Sequence, residues 1–245
     1  MRVTRVHVAQ PLATGAEIVL PEGPAAHLTR VLRLGVGDAC VVFNGDGNDY
    51  AATLTVVGKR EARLRIEDAA RVDRESPLRI TLLQGVAKGE KMDLILQKAT
   101  ELGVASIVPV WSQRSDVKLD GDRAAKRLDH WRNVVASACE QCWRATVPDV
   151  AAPVTLAAAL ASLEPHAMRL LLDPEGMHSL RTMSLDDTAS ICIAVGPEGG
   201  WSPLDREQLQ SAGFDGLRLG PRILRTETAG LAAIAALQAR FGDLV

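Results

Sequence analysis

Two glycine-bearing loops hold the residues best suited to chemistry. The first, Gly196-Pro197-Glu198-Gly199-Gly200-Trp201, follows the apolar run Ile191–Val195 and leads straight into a helix start. Ser202 is the expected cap, Pro203 suits the first helical position, and Asp205 completes a capping box. Gly213 ends that helix. A strand, a glycine loop and a helix N-terminus in succession place backbone amides around a ligand beyond the strand's carboxyl end, and glycine lets that ligand approach the backbone closely. Phosphate is a poor candidate. The loop carries Glu198 and no Lys, and neither a Walker pattern nor G-x-G-x-x-G is present. A neutral or cationic ligand suits it better; a tight strand–helix turn with no ligand fits the same residues equally well.

The second loop lies in Leu217-Arg218-Leu219-Gly220-Pro221-Arg222-Ile223-Leu224-Arg225-Thr226-Glu227-Thr228-Ala229. It reads as another strand–loop–helix, with Thr226 as the cap. Arg222 and Arg225 sit just before the helix, where the dipole disfavours cations. That placement points to function, against the alternative of two solvated surface arginines. The helix Glu227–Arg240 is apolar on nearly every side, as in a core or an interface. A third group, Ala138-Cys139-Glu140-Gln141-Cys142-Trp143-Arg144, ends a long helix. Arg144 suits a helix C-terminus, and Glu140 one turn earlier can simply pair with it. In a fourth, His27-Leu28-Thr29-Arg30-Val31-Leu32-Arg33, an α-helix puts Leu28, Val31 and Leu32 on one face. Arg30 and Arg33 then share another, open to phosphates or simply solvated.

The elements that must position these groups fall into two stretches. Residues 1–72 read as several short strands and one helix, Pro24–Arg33, which together suggest a small barrel. Glu61-Ala62-Arg63-Leu64-Arg65-Ile66-Glu67 alternates strictly, the period of a half-buried strand. Asp73-Arg74-Glu75-Ser76-Pro77 is charged, lacks apolar residues and marks the boundary. Residues 73–245 alternate strands (Leu78–Val86, Ser106–Val110, Met168–Leu172, Ser190–Val195) with helices (Glu90–Leu102, Asp122–Cys142, Leu156–Leu163). That rhythm means an α/β domain with a mainly parallel, buried sheet.

Composition narrows the function classes. The 245 residues are 47% hydrophobic and 24% charged, enough for a sizeable core. Aromatics are only 3%, which disfavours a sheet that stacks RNA bases on several exposed rings. Lys+Arg number 28 against 30 Asp+Glu, so the net charge of −2 excludes a strongly basic, sequence-blind polyanion binder but not a local basic patch. No apolar run is long enough to span a bilayer, and no signal-peptide core opens the chain, so a cytoplasmic protein is expected. Cys139 and Cys142 form a C-x-x-C with no second pair or nearby His, so no metal is expected and the four cysteines read as reduced thiols.

Taken together, these stretches resemble the ribosomal RNA small subunit methyltransferase E family, within the SPOUT superfamily. The resemblance runs nearly end to end. It is carried by Lys88-Gly89-Glu90-Lys91-Met92, Glu101-Leu102-Gly103-Val104, Cys139-Glu140-Gln141-Cys142, the two glycine loops and the pattern His27–Arg33. It implies a PUA-like RNA-binding small β-barrel over residues 1–72, then a SPOUT trefoil-knotted α/β domain over 73–245. It implies a homodimer with cofactor pockets near the interface. The implied reaction is methyl transfer from S-adenosyl-L-methionine to N3 of a uridine, usually uridine 1498, in 16S ribosomal RNA. The partner is then that RNA or the small ribosomal subunit, with no DNA and no membrane. Carried over residue by residue, the cofactor site includes Leu172, Gly196, Glu198, Gly199, Gly200, Leu219, Gly220, Ile223, Leu224, Arg225 and Thr228. The RNA-facing candidates are Arg30, Arg33, Arg114, Glu140, Gln141 and Arg144. Two positions depart from the family pattern: Val6-His7-Val8, where relatives often carry aromatics, and Asp173, where relatives often have His before the Pro.

The chemistry of such a transfer sets what the protein must add. The methyl sulfonium is already activated, so positioning matters most. Uridine N3 must lose its proton, and the charge spreads onto the base carbonyls. Arg225 or Arg144 is the candidate to stabilise that charge, and Glu140 the candidate base. N3 is blocked in a duplex, so the base must be unpaired or flipped out. Two rival readings are a non-catalytic RNA-binding protein and a nucleotide-binding hydrolase on a doubly wound sheet. The first leaves the two glycine loops unexplained, and the second lacks a phosphate motif.

Overall fold

The computed structural model describes residues 4–58, 61–115, 121–166, 168–185 and 190–244. The chain divides into two compact units, one of Met1–Glu75 with Ala136–Val147 and one of Ser76–Val135 with Pro148–Val245. Residues 136–147, which the sequence reading placed in the second domain, therefore cluster with the first.

The first unit is built on β1 (Arg5–His7), β2 (Glu17–Val19), α1 (Glu22–Ala26), β3 (Ala39–Phe43), β4 (Asn48–Val57) and β5 (Ala62–Arg71). Its strands form one mixed sheet in the order β1-β3-β4-β5-β2. Only β1 and β3 are parallel; the other neighbours are antiparallel. In β5 the alternation resolves as expected: Ala62, Leu64 and Ile66 face the core beside Val6, Leu28, Val42 and Leu54.

Arg5 explains why a distant segment joins this unit. It is only 5% exposed, so its charge must be compensated inside. The guanidinium lies over the rings of Phe43 at 4.4 Å and Trp143 at 5.4 Å. It pairs with Asp49 and donates to the carbonyls of Cys139 (2.8 Å) and Arg144 (3.2 Å). Three stretches distant in sequence, around residues 5, 43–49 and 139–144, thus meet on one cation.

The helix expected over Pro24–Arg33 is shorter and changes type. α1 passes into a π-helical turn over His27–Val31, closed by Leu32 N–H donating to the His27 carbonyl. The wider turn breaks the α spacing, so Val31 (67% exposed) and Leu32 leave the face of buried Leu28. Arg33 then takes a left-handed conformation, φ 58°. Arg30 and Arg33 are both exposed, but not as neighbours on an α-helical face.

The second unit contains β6 (Arg79–Gly85), α2 (Glu90–Glu101), β7 (Ser106–Trp111), most of α3 (Gly121–Cys142), β8 (Asp149–Val150), β9 (Val154–Thr155), α4 (Leu156–Ser162), β10 (Met168–Leu172), β11 (Ser190–Val195), α5 (Pro203–Ser211), β12 (Asp215–Leu217) and α6 (Thr226–Phe241). Its strands lie in the order β12-β10-β11-β6-β7-β8, with β9 also on β7, and every pairing is parallel. β11 is buried along Ile191–Val195, as a central parallel strand requires. Met92, Ile95, Leu96 and Ala99 form the buried stripe of α2. α6 packs on α2 and β11 through Gly230, Ala233, Ile234 and Leu237. Among the described residues, no helix is long and apolar enough to cross a membrane, and no group of His, Cys, Asp and Glu is arranged to hold a metal.

Candidate ligand cavity at the glycine loops

The loop after β11 and the loop before α6 converge on a cavity of about 470 Å³. Local chemistry fixes the first loop at both ends. Gly200 takes φ 66° and its N–H closes a turn on the Pro197 carbonyl. Beyond it the capping box forms: Ser202 Oγ accepts from Asp205 N–H (3.0 Å), and Asp205 Oδ2 accepts from Ser202 N–H (2.9 Å).

Behind the loop stands β6, whose last residues were not singled out by sequence reasoning. A Cβ on Gly85 would lie 2.5 Å from the nitrogen of Pro197 and 2.6 Å from its Cδ, so only glycine permits this approach. Gln84 is fully buried and donates through Nε2 to the Gly85 carbonyl (2.9 Å) and to Thr226 Oγ1 (3.1 Å). Thr226 Oγ1 in turn donates to the Gly196 carbonyl (2.5 Å). One polar relay therefore ties β6, the glycine loop and α6 together. Thr226 is not the cap that the sequence suggested. Arg225 occupies the N-cap position without a side-chain cap bond, and the Thr226 hydroxyl is spent across the relay instead.

Charged groups line the cavity in two sets. Asp173 pairs with Arg206, which gives the residue that departs from the family pattern a partner on α5. Glu198 accepts from the Lys88 N–H (3.0 Å) and lies 3.4 Å from Lys91 Nζ; Glu227 lies 3.8 Å from the same ammonium. Burial raises the proton affinity of Glu198, but the Lys88 amide and the Lys91 charge outweigh it and hold the carboxyl below its ordinary value.

Of the expected cofactor residues, Leu172, Gly196, Glu198, Gly200, Leu219, Gly220, Ile223, Leu224 and Arg225 line this cavity. Gly199 and Thr228 are not among its walls. Gly199 instead faces Arg114: a Cβ there would lie 3.1 Å from Arg114 Cβ, and Arg114 Nη1 donates to the Gly199 carbonyl (3.1 Å). Arg114 thus braces the loop. Thr228 is exposed on the first turn of α6.

The remaining candidates belong to the first unit. Arg30, Arg33 and Gln141 are exposed. Glu140 is half-buried and accepts from the His7 N–H (2.9 Å); desolvation raises its proton affinity despite that bond. Arg144 is only 4% exposed and pairs with Glu75. Cys139 is buried, and its thiol is pushed far up by hydrogen bonding with Cys142 and by burial. The residues that sequence reasoning missed are Lys91, Trp201, Arg206 and Glu227 in the cavity wall, and Gln84 and Gly85 behind the loop. A single polar residue in the apolar run Leu82-Leu83-Gln84-Gly85-Val86 was the available signal for the last two.

Comparisons with known proteins extend over the whole chain. Residues 74–238 match a family model described as an RNA methyltransferase domain, and residues 25–67 one described as an RNA methyltransferase PUA domain. Ribosomal RNA small subunit methyltransferase E of Buchnera aphidicola subsp. Schizaphis graminum is 31% identical over 243 residues, 99% of this chain and 98% of that protein. A methyltransferase from Legionella pneumophila, solved in complex with the bound cofactor SAM, superposes with a TM-score of 0.95 at 36% identity over 100% of both chains. A ribosomal RNA small subunit methyltransferase E from Neisseria gonorrhoeae, solved bound to S-adenosyl methionine, gives 0.93 at 40% identity, again over 100% of both.

Proposed function

The chain belongs to the ribosomal RNA small subunit methyltransferase E family, and from that membership we propose that it methylates N3 of a uridine, uridine 1498, in 16S ribosomal RNA. It is an S-adenosyl-L-methionine-dependent ribosomal RNA methyltransferase. The observation that carries the reading is the cavity itself. Its volume of about 470 Å³ suits a small organic ligand. Two glycine loops expose backbone there, Leu172, Leu219 and Leu224 supply apolar wall, and the carboxylates of Asp173, Glu198 and Glu227 stand among four basic side chains. That mixture fits a cofactor that carries charges of both signs.

Leu172, Gly196, Glu198, Gly200, Leu219, Gly220, Ile223, Leu224 and Arg225 would hold the cofactor, with Gly199 and Thr228 shaping the loops. The bound cofactor supplies an activated methyl group. The residues of the chain then have two tasks: to exclude water, and to stabilise the uridine once N3 has lost its proton. Arg225, exposed at the cavity wall, is the cation for that charge. Arg144 is held by Glu75 and serves the packing of its own segment. Glu140 is the candidate proton acceptor, since burial shifts its carboxyl in the direction a base near neutral pH needs. Arg30 and Arg33 are proposed to contact RNA phosphates, and the working form to be a cytoplasmic homodimer acting on 16S ribosomal RNA or the small subunit.

Mass spectrometry of 16S ribosomal RNA from cells lacking the gene tests this. One methyl should be missing from uridine 1498, restored by the wild-type gene and not by Arg225→Ala. Unchanged methylation in the deletion strain would refute it.

A further inference from the structure

Lys91 is central to the motif Lys88-Gly89-Glu90-Lys91-Met92, which the reaction described so far does not use. It stands on the first turn of α2 and lines the cavity. Its ammonium serves two carboxylates at once, Glu198 at 3.4 Å and Glu227 at 3.8 Å, both also in the cavity wall. Neither separation is a close ion-pair contact, and Lys91 keeps 37% of its side chain exposed. Glu227 Oε2 is buried and has no hydrogen-bond partner among the described residues. A buried carboxylate oxygen without a donor is costly, and here a single ammonium almost 4 Å away compensates it.

Four other charged side chains line the cavity. Asp173 and Arg206 neutralise each other, and Arg222 and Arg225 are exposed to solvent. By itself the triad Lys91, Glu198 and Glu227 is formally −1, and water screens the two exposed arginines more than it screens this group. We propose that Lys91 sets how strongly the cavity prefers a cationic ligand over a neutral one, and so how well the methyl donor competes with the demethylated product for the site. The inference rests on the reading of this cavity as the cofactor site.

The chemistry makes charge the natural discriminator. When the S–CH₃ bond breaks, sulfur keeps the electron pair and N3 of the deprotonated uridine forms the new bond to carbon. The methyl donor carries a carboxylate, an ammonium and a sulfonium, for a net charge of +1. The thioether product retains only the first two and is neutral. Apart from the methyl group the two ligands match closely in shape. With Lys91 in place the wall attracts the donor moderately; without Lys91 the donor would be held more tightly and the product would gain nothing from the added negative charge.

Calorimetry on the full chain tests this with S-adenosylmethionine and S-adenosylhomocysteine as paired probes. Lys91→Met should shift the affinity ratio toward the methyl donor by about three- to tenfold, as expected for one unit charge near a partly solvated site. Lys91→Arg should restore the wild-type ratio. Glu227→Gln should move the ratio the other way, and it carries the comparison if Lys91→Met does not fold. Lys91→Met changing both affinities by one factor would overturn the inference while leaving the cofactor reading intact. Wild-type protein that binds neither probe would overturn the cofactor reading, and this inference with it.

Discussion

Gly85 and Thr226 matter because each meets a backbone group of the glycine loop. Gly85→Ala would drive a methyl group into Pro197, whose ring and nitrogen cannot turn aside as a flexible side chain can. The loop must move, so cofactor affinity should fall at least tenfold by calorimetry. The stability cost, read from a urea titration, should stay at about 1–3 kcal/mol. Thr226→Val keeps the shape of the side chain but removes the donor to Gly196 and the acceptor for Gln84. Leaving those buried groups unpaired should cost about 1–3 kcal/mol, with Thr226→Ser near wild type in the same titration. Much of the cavity was readable from residue types: the two glycine loops, Glu198 and Arg225 all stand out by spacing alone. The relay through Gln84 was not, because it joins residues 142 positions apart in the chain. No local pattern records such a meeting. Thr226 misled for a related reason, since its position suits a cap and only the folded chain shows which carbonyl takes its proton.

Short elements of the first unit depart most from their sequence pattern. The spacing of Leu28, Val31 and Leu32 fits an α-helix, and nothing in their types announces the wider turn that sends Val31 into solvent. β5 and α5 were legible because alternation and a capping box are local signals that tertiary contacts here reinforce. Arg33 pays for its left-handed conformation, a strain that glycine does not feel. Arg33→Gly should therefore raise stability by about 0.5–1 kcal/mol while removing a cation proposed to meet RNA. A thermal melt that rises together with a weaker, less salt-sensitive affinity for RNA is the expected pair of results; unchanged RNA binding would remove Arg33 from the RNA-facing set. His7 and Glu140, joined by the His7 N–H, shift in opposite directions, both driven by burial. The lowered His7 contributes stability that is complete above its ordinary value of 6.5 and is lost as pH falls through the titration range below it. The raised Glu140 contributes stability that is complete below its ordinary value of 4.5 and is lost as pH rises through its folded value. Glu140→Gln keeps an oxygen for the His7 amide and cannot ionise. Its melting temperature should exceed that of the wild type at pH 7, and the gap should close toward pH 4.

The arrangement of the entire chain bears on assembly and on how it folds. α6 buries Gly230, Ala233, Ile234 and Leu237, yet Ala229, Leu231, Ala232, Ala235 and Ala236 remain partly exposed on the same apolar helix. Small residues on an unfilled face favour close helix packing, in keeping with the proposed dimer. Sedimentation should give about twice 26.2 kDa at micromolar concentration, and Ala232→Glu should shift it toward the monomer. The parallel sheet and its place after the first seventy-odd residues were legible from the alternating rhythm of strands and helices. The membership of residues 136–147 in the first unit was not, because it depends on Arg5 finding Trp143 and two carbonyls far along the chain. That arrangement has a consequence for synthesis. The N-terminal strands leave the ribosome first, yet the pocket that neutralises Arg5 is incomplete until Cys139, Trp143 and Arg144 have been translated. Until then a nascent chain carries a cation destined for burial with only Asp49 and the Phe43 ring to answer it, so the part made first cannot finish folding until more than half of the chain has been made.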